Sequence, residues 1–411
     1  MNEYNLIQLD NGIRILLHHQ NSPITHACLI VNAGARDEQE GKYGVAHFIE
    51  HLLFKRTERR STNQILNRLE QVGGDLNAYT TKEYTCLQAS FLHPHLERAL
   101  DLFEDVLFHS TFPPNEIEKE KGVILDEMAS YLDSPEESIM DDFEDLLFKG
   151  TGLGHNILGL EEDLKALQKA DVLDFMHKNY DTNEIVIAIG GNYSLAQVER
   201  IANKIFSKIL PNRRVKQDKV TFENIGEQII IEKPINQAHY MLGVKTFGIY
   251  DDRKTAMLLL NNMLGGFGMS SILNLGIREK YGIAYTIESN FTMYTDIGHF
   301  NIYLGTDEEK LKKAVSLVFK ELNKLKQAPI SIYQLKQAKQ KFKGQIALAE
   351  ENRMSMIIAE AKNIIDYGKI IPLQEVFDKI DKVSVEDMLE LSNTYFDESK
   401  LTSLSFVPEE E

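Results

Sequence analysis

The sequence is poor in residues that several classes of protein require. It has two cysteines, Cys28 and Cys86, in 411 residues. That is too few for a disulfide framework or a thiolate-rich zinc site, so both are expected to be reduced and buried. No run approaches the roughly 18 apolar residues of a spanning helix, so no membrane segment is expected. The N-terminus, MNEYNLIQLD, has neither the basic start nor the long apolar run of a secretory signal, and a cytoplasmic location is expected. Basic residues are outnumbered, 45 Lys and Arg against 62 Asp and Glu, for a net charge of −17. Phosphate binding needs a basic surface, so nucleic acid is disfavoured as a partner. An acidic surface serves solubility and is also compatible with basic peptides.

What is present reads as a soluble globular chain, 43% hydrophobic and 26% charged, long enough for two domains. Alternating or apolar runs around Asp10-Asn11-Gly12 predict an opening hairpin. Strands are predicted at 27–31, 76–79, 84–92 and 184–189. Helical spacing predicts helices at 45–54, 63–72, 96–108, 116–132, 162–180 and 195–209. After residue 227 the order restarts. Strands are expected at 228–231, 239–244, 283–292, 298–304 and 401–406. Helices are expected at 255–264, 269–280, 308–325, 333–351 and 385–395. The reading is therefore a degenerate duplication of the α+β class: two homologous domains, each a mostly antiparallel sheet covered by helices. Domain limits are placed at 1–213 and 228–411, joined by a linker at 214–227 with little apolar periodicity.

His47-Phe48-Ile49-Glu50-His51 is the most informative stretch. At 100° per residue, His47 and His51 project from nearly the same side of one helix, a turn apart. Two imidazoles so placed can share one Zn²⁺, and Glu50 lies on that side, in reach of a water to be deprotonated. The pattern is the reverse of H-E-x-x-H. With 12 histidines, H-x-x-E-H is expected by chance about 0.03 times in this chain. The bland alternative is a pair of core histidines, but three polar groups on one side of a buried helix cost free energy unless partnered. A catalytic zinc site needs a third protein ligand. Glu120 and Glu127, two turns apart on one helix face, are candidates, with a solvated face as the alternative.

These residues carry a family resemblance. The chain resembles the inverzincin zinc peptidases of the pitrilysin, insulin-degrading-enzyme and mitochondrial-processing-peptidase group. The stretch from Gly44 to Lys55 is close to the family's motif, with Arg56 where Gly is usual. The resemblance implies that Glu127 is the third zinc ligand and that Glu120 orients a ligand histidine. Gly73 to Thr80 resembles the family's edge strand, which implies that Asn77 and Ala78 contact an extended substrate. Arg278 and Tyr285, seven apart, resemble the family's Arg/Tyr motif, which implies hydrogen bonds to a tetrahedral oxyanion. Ile272 and Tyr281 stand where Arg is common.

The resemblance implies a zinc-dependent endopeptidase with one Zn²⁺ per chain and half of a four-domain clamshell. Because one chain holds both motifs, a homodimer is expected, with a heterodimer of related chains as the variant. The rival reading is a catalytically silent structural or peptide-binding subunit of the same fold.

Overall fold

A computed structural model of the chain describes residues 4–214 and 223–409. Residues 215–222 of the expected linker lie outside them. The first half supplies β1 (Tyr4–Gln8), β2 (Arg14–His19), β3 (Ile24–Val31), β4 (Asp75–Thr80), β5 (Thr85–Leu92) and β6 (Ile185–Gly191), in the sheet order β1-β2-β6-β3-β5-β4. The second supplies β7 (Gln228–Lys233), β8 (Ala238–Phe247), β9 (Thr286–Met293), β10 (Ile297–Thr306) and β11 (Thr402–Pro408), in the order β7-β11-β8-β10-β9. The duplication is visible in the pairing. In each sheet the last strand runs parallel to an early one, β6 to β2 and β11 to β7, and every other pair is antiparallel. The α+β expectation holds.

Strands with continuous apolar runs are those covered on both faces. On β2, β3 and β6, residues Ile15, Leu17, Ala27, Leu29, Ile187 and Ile189 enter the main core of the first unit. Their neighbours Leu16, Cys28, Ile30, Val186 and Ala188 point the other way and pack with Cys86 against Ile357, Ala361 and Ile364 of the helix Arg353–Tyr367. Side chains alternating across the pleat thus build two cores on one sheet. Both cysteines are free and buried.

The chain divides into two compact units, each assembled from three stretches: Met1–Ala129, Gly150–Gln217 and Ala349–Ile371 in one, Ser130–Lys149, Asp218–Leu348 and Pro372–Glu411 in the other. The helix Pro135–Leu147 packs on β8 and β11 of the second unit, and Arg353–Tyr367 on β3 and β6 of the first. The periodicity reading leaves both helices unassigned, along with Leu373–Lys382. In the first unit, Arg14 donates to the Ile364 carbonyl (2.7 Å) and His18 meets Glu360 (2.7 Å), tying the late helix to β2.

Two expected helices differ in detail. The one at 162–180 is two, Glu161–Ala166 and Lys169–Asn179, because Leu167 is extended and Gln168 with Asp171 forms a fresh capping box. The one at 269–280 contains a π-helical turn, Asn274–Glu279. No helix of the described residues is long and apolar enough to cross a membrane.

Ile364 is fully buried on the second face of the first sheet, whereas Leu348 is 75% exposed. Ile364→Ala is expected to destabilise the first unit by about 2–5 kcal/mol. Leu348→Ala should stay within roughly 0.5 kcal/mol of wild type. Urea unfolding of the two variants checks the contrast.

Candidate metal centre

The helix Val45–Leu53 is only nine residues long, so tertiary packing must hold it. Val45, Ala46, Phe48, Ile49, Leu52 and Leu53 sink into the core, which turns His47, Glu50 and His51 toward one side. The helix Pro114–Leu132 anchors through buried Ile117 and Ile124 and presents Glu120 and Glu127. Glu120 is 2% exposed, so the solvated-face alternative fails for it. Its Oε1 pairs with Lys55 Nζ at 2.8 Å, and its Oε2 lies 3.4 Å from His51 Nδ1.

His47 Nε2 lies 3.8 Å from Glu127 Oε1, and His51 Nε2 3.6 Å from Glu127 Oε2. The two rings stand edge to face, centroids 4.7 Å apart. These separations are too long for hydrogen bonds. They are close to the roughly 3.3 Å between donors that tetrahedral zinc with 2.0–2.1 Å bonds requires. One ligand-capable atom from each of the three residues lies within 4.8 Å of the others. Two imidazoles and a carboxylate converge on a point without bonding one another, a donor set that fits a divalent ion. His51, with Nδ1 facing Glu120, is aimed with Nε2 toward that point.

Burial sets the protonation of the site. It pushes the His47 imidazole down to about 4, helped by His51, so the ring is neutral at ordinary pH and its lone pair is available. Burial pushes the Glu50 carboxyl up. The Thr80 hydroxyl and N–H and the neighbouring His51 oppose that shift, and Glu127 adds to it. Thr80 ends β4, an edge strand that packs against the His47 helix.

Asn77 and Ala78 lie on β4, paired with Gln88 and Leu87 of β5. Asn77 is exposed, and its Oδ1 accepts the Ala78 N–H at 2.8 Å. Arg278 and Tyr285 belong to the second unit, where both line a cleft of about 670 Å³ with Asn261, Asn262 and Phe267. The Tyr285 hydroxyl is exposed and donates to Asp307 Oδ1 at 2.8 Å, which holds its proton more firmly than usual. Lys55 and Thr80 were not singled out in the sequence. Lys55 lies in the turn past the helix end at Leu53, and the nearness of Thr80 to Glu50 joins separate segments, so helical spacing marks neither.

A family model described as Insulinase (Peptidase family M16) matches residues 14–161, and one described as Peptidase M16 inactive domain matches 166–342. An uncharacterized zinc protease of Bacillus subtilis, YmxG, is 32% identical over 397 residues, covering 96% of each chain. An uncharacterized zinc protease of Rickettsia felis is 30% identical, covering 98% of this chain and 97% of its own. Among solved structures, a protease from Helicobacter pylori superposes with a TM-score of 0.89 at 21% identity, covering 98% of this chain and 99% of its own. A peptidase M16 inactive domain from Pseudomonas fluorescens gives 0.90 at 22%, covering 100% and 99%. At that identity the likeness is one of fold. The chain belongs to peptidase family M16, the insulinase family.

The match to an inactive-domain model in the second half has a plain counterpart. The helix Lys254–Leu264 follows β8 as Val45–Leu53 follows β3, and its sequence KTAMLLLNNML holds no histidine.

The depressed His47 value carries a sign. Between its ordinary value near 6.5 and its folded value near 4, the unfolded chain binds the proton and the folded one does not. Metal-free protein is therefore expected to lose stability as pH falls through that window, by on the order of 3 kcal/mol, and to lose no more from this group below it. In His47→Asn the pH slope should shrink by about one proton, as measured by denaturant unfolding across the range.

Proposed function

We propose that the chain is a zinc-dependent endopeptidase that hydrolyses peptides or unstructured segments laid as an extended strand along β4. The observation that carries this reading is the convergence of His47, His51 and Glu127 beside Glu50, next to a sheet edge. The three converging residues would hold one Zn²⁺ per chain. Bound there, zinc supplies Lewis acidity, acidifying a water and polarising the scissile carbonyl.

The protein's own groups do the rest. Glu50 takes the proton of the attacking water and passes it to the leaving amine. A carboxyl raised by burial suits both halves of that task, since its proton affinity is closer to the working pH. Glu120 fixes the His51 ring by taking its Nδ1–H. A peptide adding to β4 replaces Asn77 Oδ1 as acceptor of the Ala78 N–H. Arg278 and Tyr285 are assigned to the oxyanion on the strength of the resemblance, and Tyr285 must release Asp307 to serve. A single chain carries every one of these residues, so the assembly proposed is a homodimer enclosing the substrate. Pairing with a related chain would appear as activity only in the mixture.

Purified protein of known metal content, incubated with mixed unstructured peptides before and after chelation, tests the reading. Cleavage should vanish on chelation and return with zinc. Bound zinc with no cleavage of any peptide would favour the silent-subunit alternative, and no bound metal would sink the assignment. Glu50→Gln is expected to lower kcat by about 10²–10⁴-fold with zinc retained. Tyr285→Phe should lower kcat by roughly 10–10³-fold with KM little changed. An unchanged kcat would remove Tyr285 from the mechanism.

A further inference from the structure

The helix bearing His47 has no cap of its own. Its N-cap residue is Gly44, in the left-handed region at φ 91°, and contributes no side chain. A Cβ there would meet the Leu158 carbonyl at 2.5 Å. Glu38 takes two of the N–H groups at this end instead. Its Oε2 accepts from the Gly44 N–H at 2.7 Å and its Oε1 from the Ala46 N–H at 2.8 Å. A carboxylate at this end also complements the helix dipole.

Glu38 is itself held. It is 7% exposed, and its Oε2 meets His155 Nε2 at 2.9 Å. The His155 ring, also buried, stacks on Tyr43 with centroids 4.0 Å apart. The backbone around His155 is then bound to the substrate edge. Buried Lys82, two residues past the end of β4, donates Nζ to the carbonyls of Leu153 (3.1 Å) and His155. The Lys82 carbonyl accepts the Arg36 N–H at 2.7 Å, and the Thr81 carbonyl the Ala35 N–H at 3.1 Å, two and three residues before Glu38. A closed circuit of buried polar contacts therefore joins the turn after β4, the 153–155 loop and the first helical turn, where His47 is the third residue. Ordinary core packing does not need two buried charges and a buried histidine on three separate loops.

We propose that Glu38, His155 and Lys82 are positioning residues that lock the first turn of the His47 helix to the edge strand β4. Metal donors and bound peptide then keep one register. Glu38 and His155 act through His47, and Lys82 acts through β4. The kinetic consequence rests on the peptidase reading, and the consequence for the metal site does not.

The test uses full-length protein loaded with Co²⁺, whose d–d absorption reports ligand geometry. Glu38→Gln presents an amide donor to one of the two N–H groups. It is expected to shift the Co²⁺ band, weaken Co²⁺ binding by about 10–100-fold and lower kcat by a similar factor, with KM within about twofold. Lys82→Met should leave the Co²⁺ band as in wild type and raise KM by roughly tenfold, and Lys82→Arg should restore it. Should Glu38→Gln fail to fold, His155→Phe decides on the same readouts, since it leaves the cap and removes the bond that aims it. Wild-type Co²⁺ spectrum and affinity in the folded Glu38 or His155 variant would overturn the proposal, as would equal changes in kcat and KM in the Lys82 variant. If wild-type protein binds Co²⁺ and cuts no peptide, the peptidase reading fails and the spectra alone decide the positioning claim.

Discussion

Everything in the first unit depends on how one short helix is seated. Val45–Leu53 is too short to persist alone. Its apolar residues, spread over most of its circumference, are buried in the main core of the first unit, and the helix packs against β4 and the helix Lys169–Asn179. That packing leaves a narrow sector for polar groups and fills it with His47, Glu50 and His51. Because protein interiors are close-packed, the sector cannot rotate without displacing Phe48 or Leu52. The orientation of the metal donors is thus fixed by apolar contacts. In the positioning role proposed for it, the Glu38 carboxylate would fix the remaining freedom, the advance of the first turn along its own axis.

The duplication explains how the first unit can carry such a cluster while the helix Lys254–Leu264 of the second does not. Apart from the extra edge strand β1, the first sheet repeats the strand order and polarity of the second, β2-β6-β3-β5-β4 against β7-β11-β8-β10-β9, and both are closed on a second face by a helix from elsewhere in the sequence. The scaffold needs only apolar spacing at the helix after its central strand. Lys254–Leu264 meets that need with Met257, Leu259, Leu260 and Leu264. The first unit meets it too, while also accommodating three polar groups. That addition costs desolvation, and only a ligand or a dedicated partner for each group offsets it.

How far these features could be read from sequence follows from the range of the interactions. The spacing of four in His47 and His51, and of seven in Glu120 and Glu127, is local helix geometry and was legible. Strand and helix order was largely legible because β3, β6 and β8 carry apolar runs too dense for loops. The convergence of Glu127 on the histidines was not, since 76 residues separate it from His51, and only the family resemblance supplied it. Helices Pro135–Leu147 and Arg353–Tyr367 escaped the periodicity reading although each carries an apolar stripe, Ile139 and Phe143 in one, Ile357, Ala361 and Ile364 in the other. The first is diluted by acidic residues, and both cover sheets that their sequence position gives no reason to expect. The Glu38, Lys82 and His155 circuit lay beyond reach for the same reason: each residue is an ordinary charged or polar loop residue until the fold buries it.

Burial also links the two protonation shifts at the centre, which point in opposite directions and serve one end. Desolvation penalises charge of either sign. It drives His47 toward neutral imidazole and Glu50 toward neutral carboxyl. A neutral imidazole is the form that ligates a cation, so the first shift favours the metal. A carboxyl whose proton affinity has risen is the form that can hold a proton through a reaction and release it, so the second favours transfer. A bound dication would then lower the proton affinity of Glu50 again through space, offsetting part of what burial raised. In the proposed mechanism the resting state of Glu50 would therefore be set by two opposed effects, burial and the ion. A small displacement of the His47 helix relative to β4 would change both at once, so the proposed chemistry depends on how that junction is held.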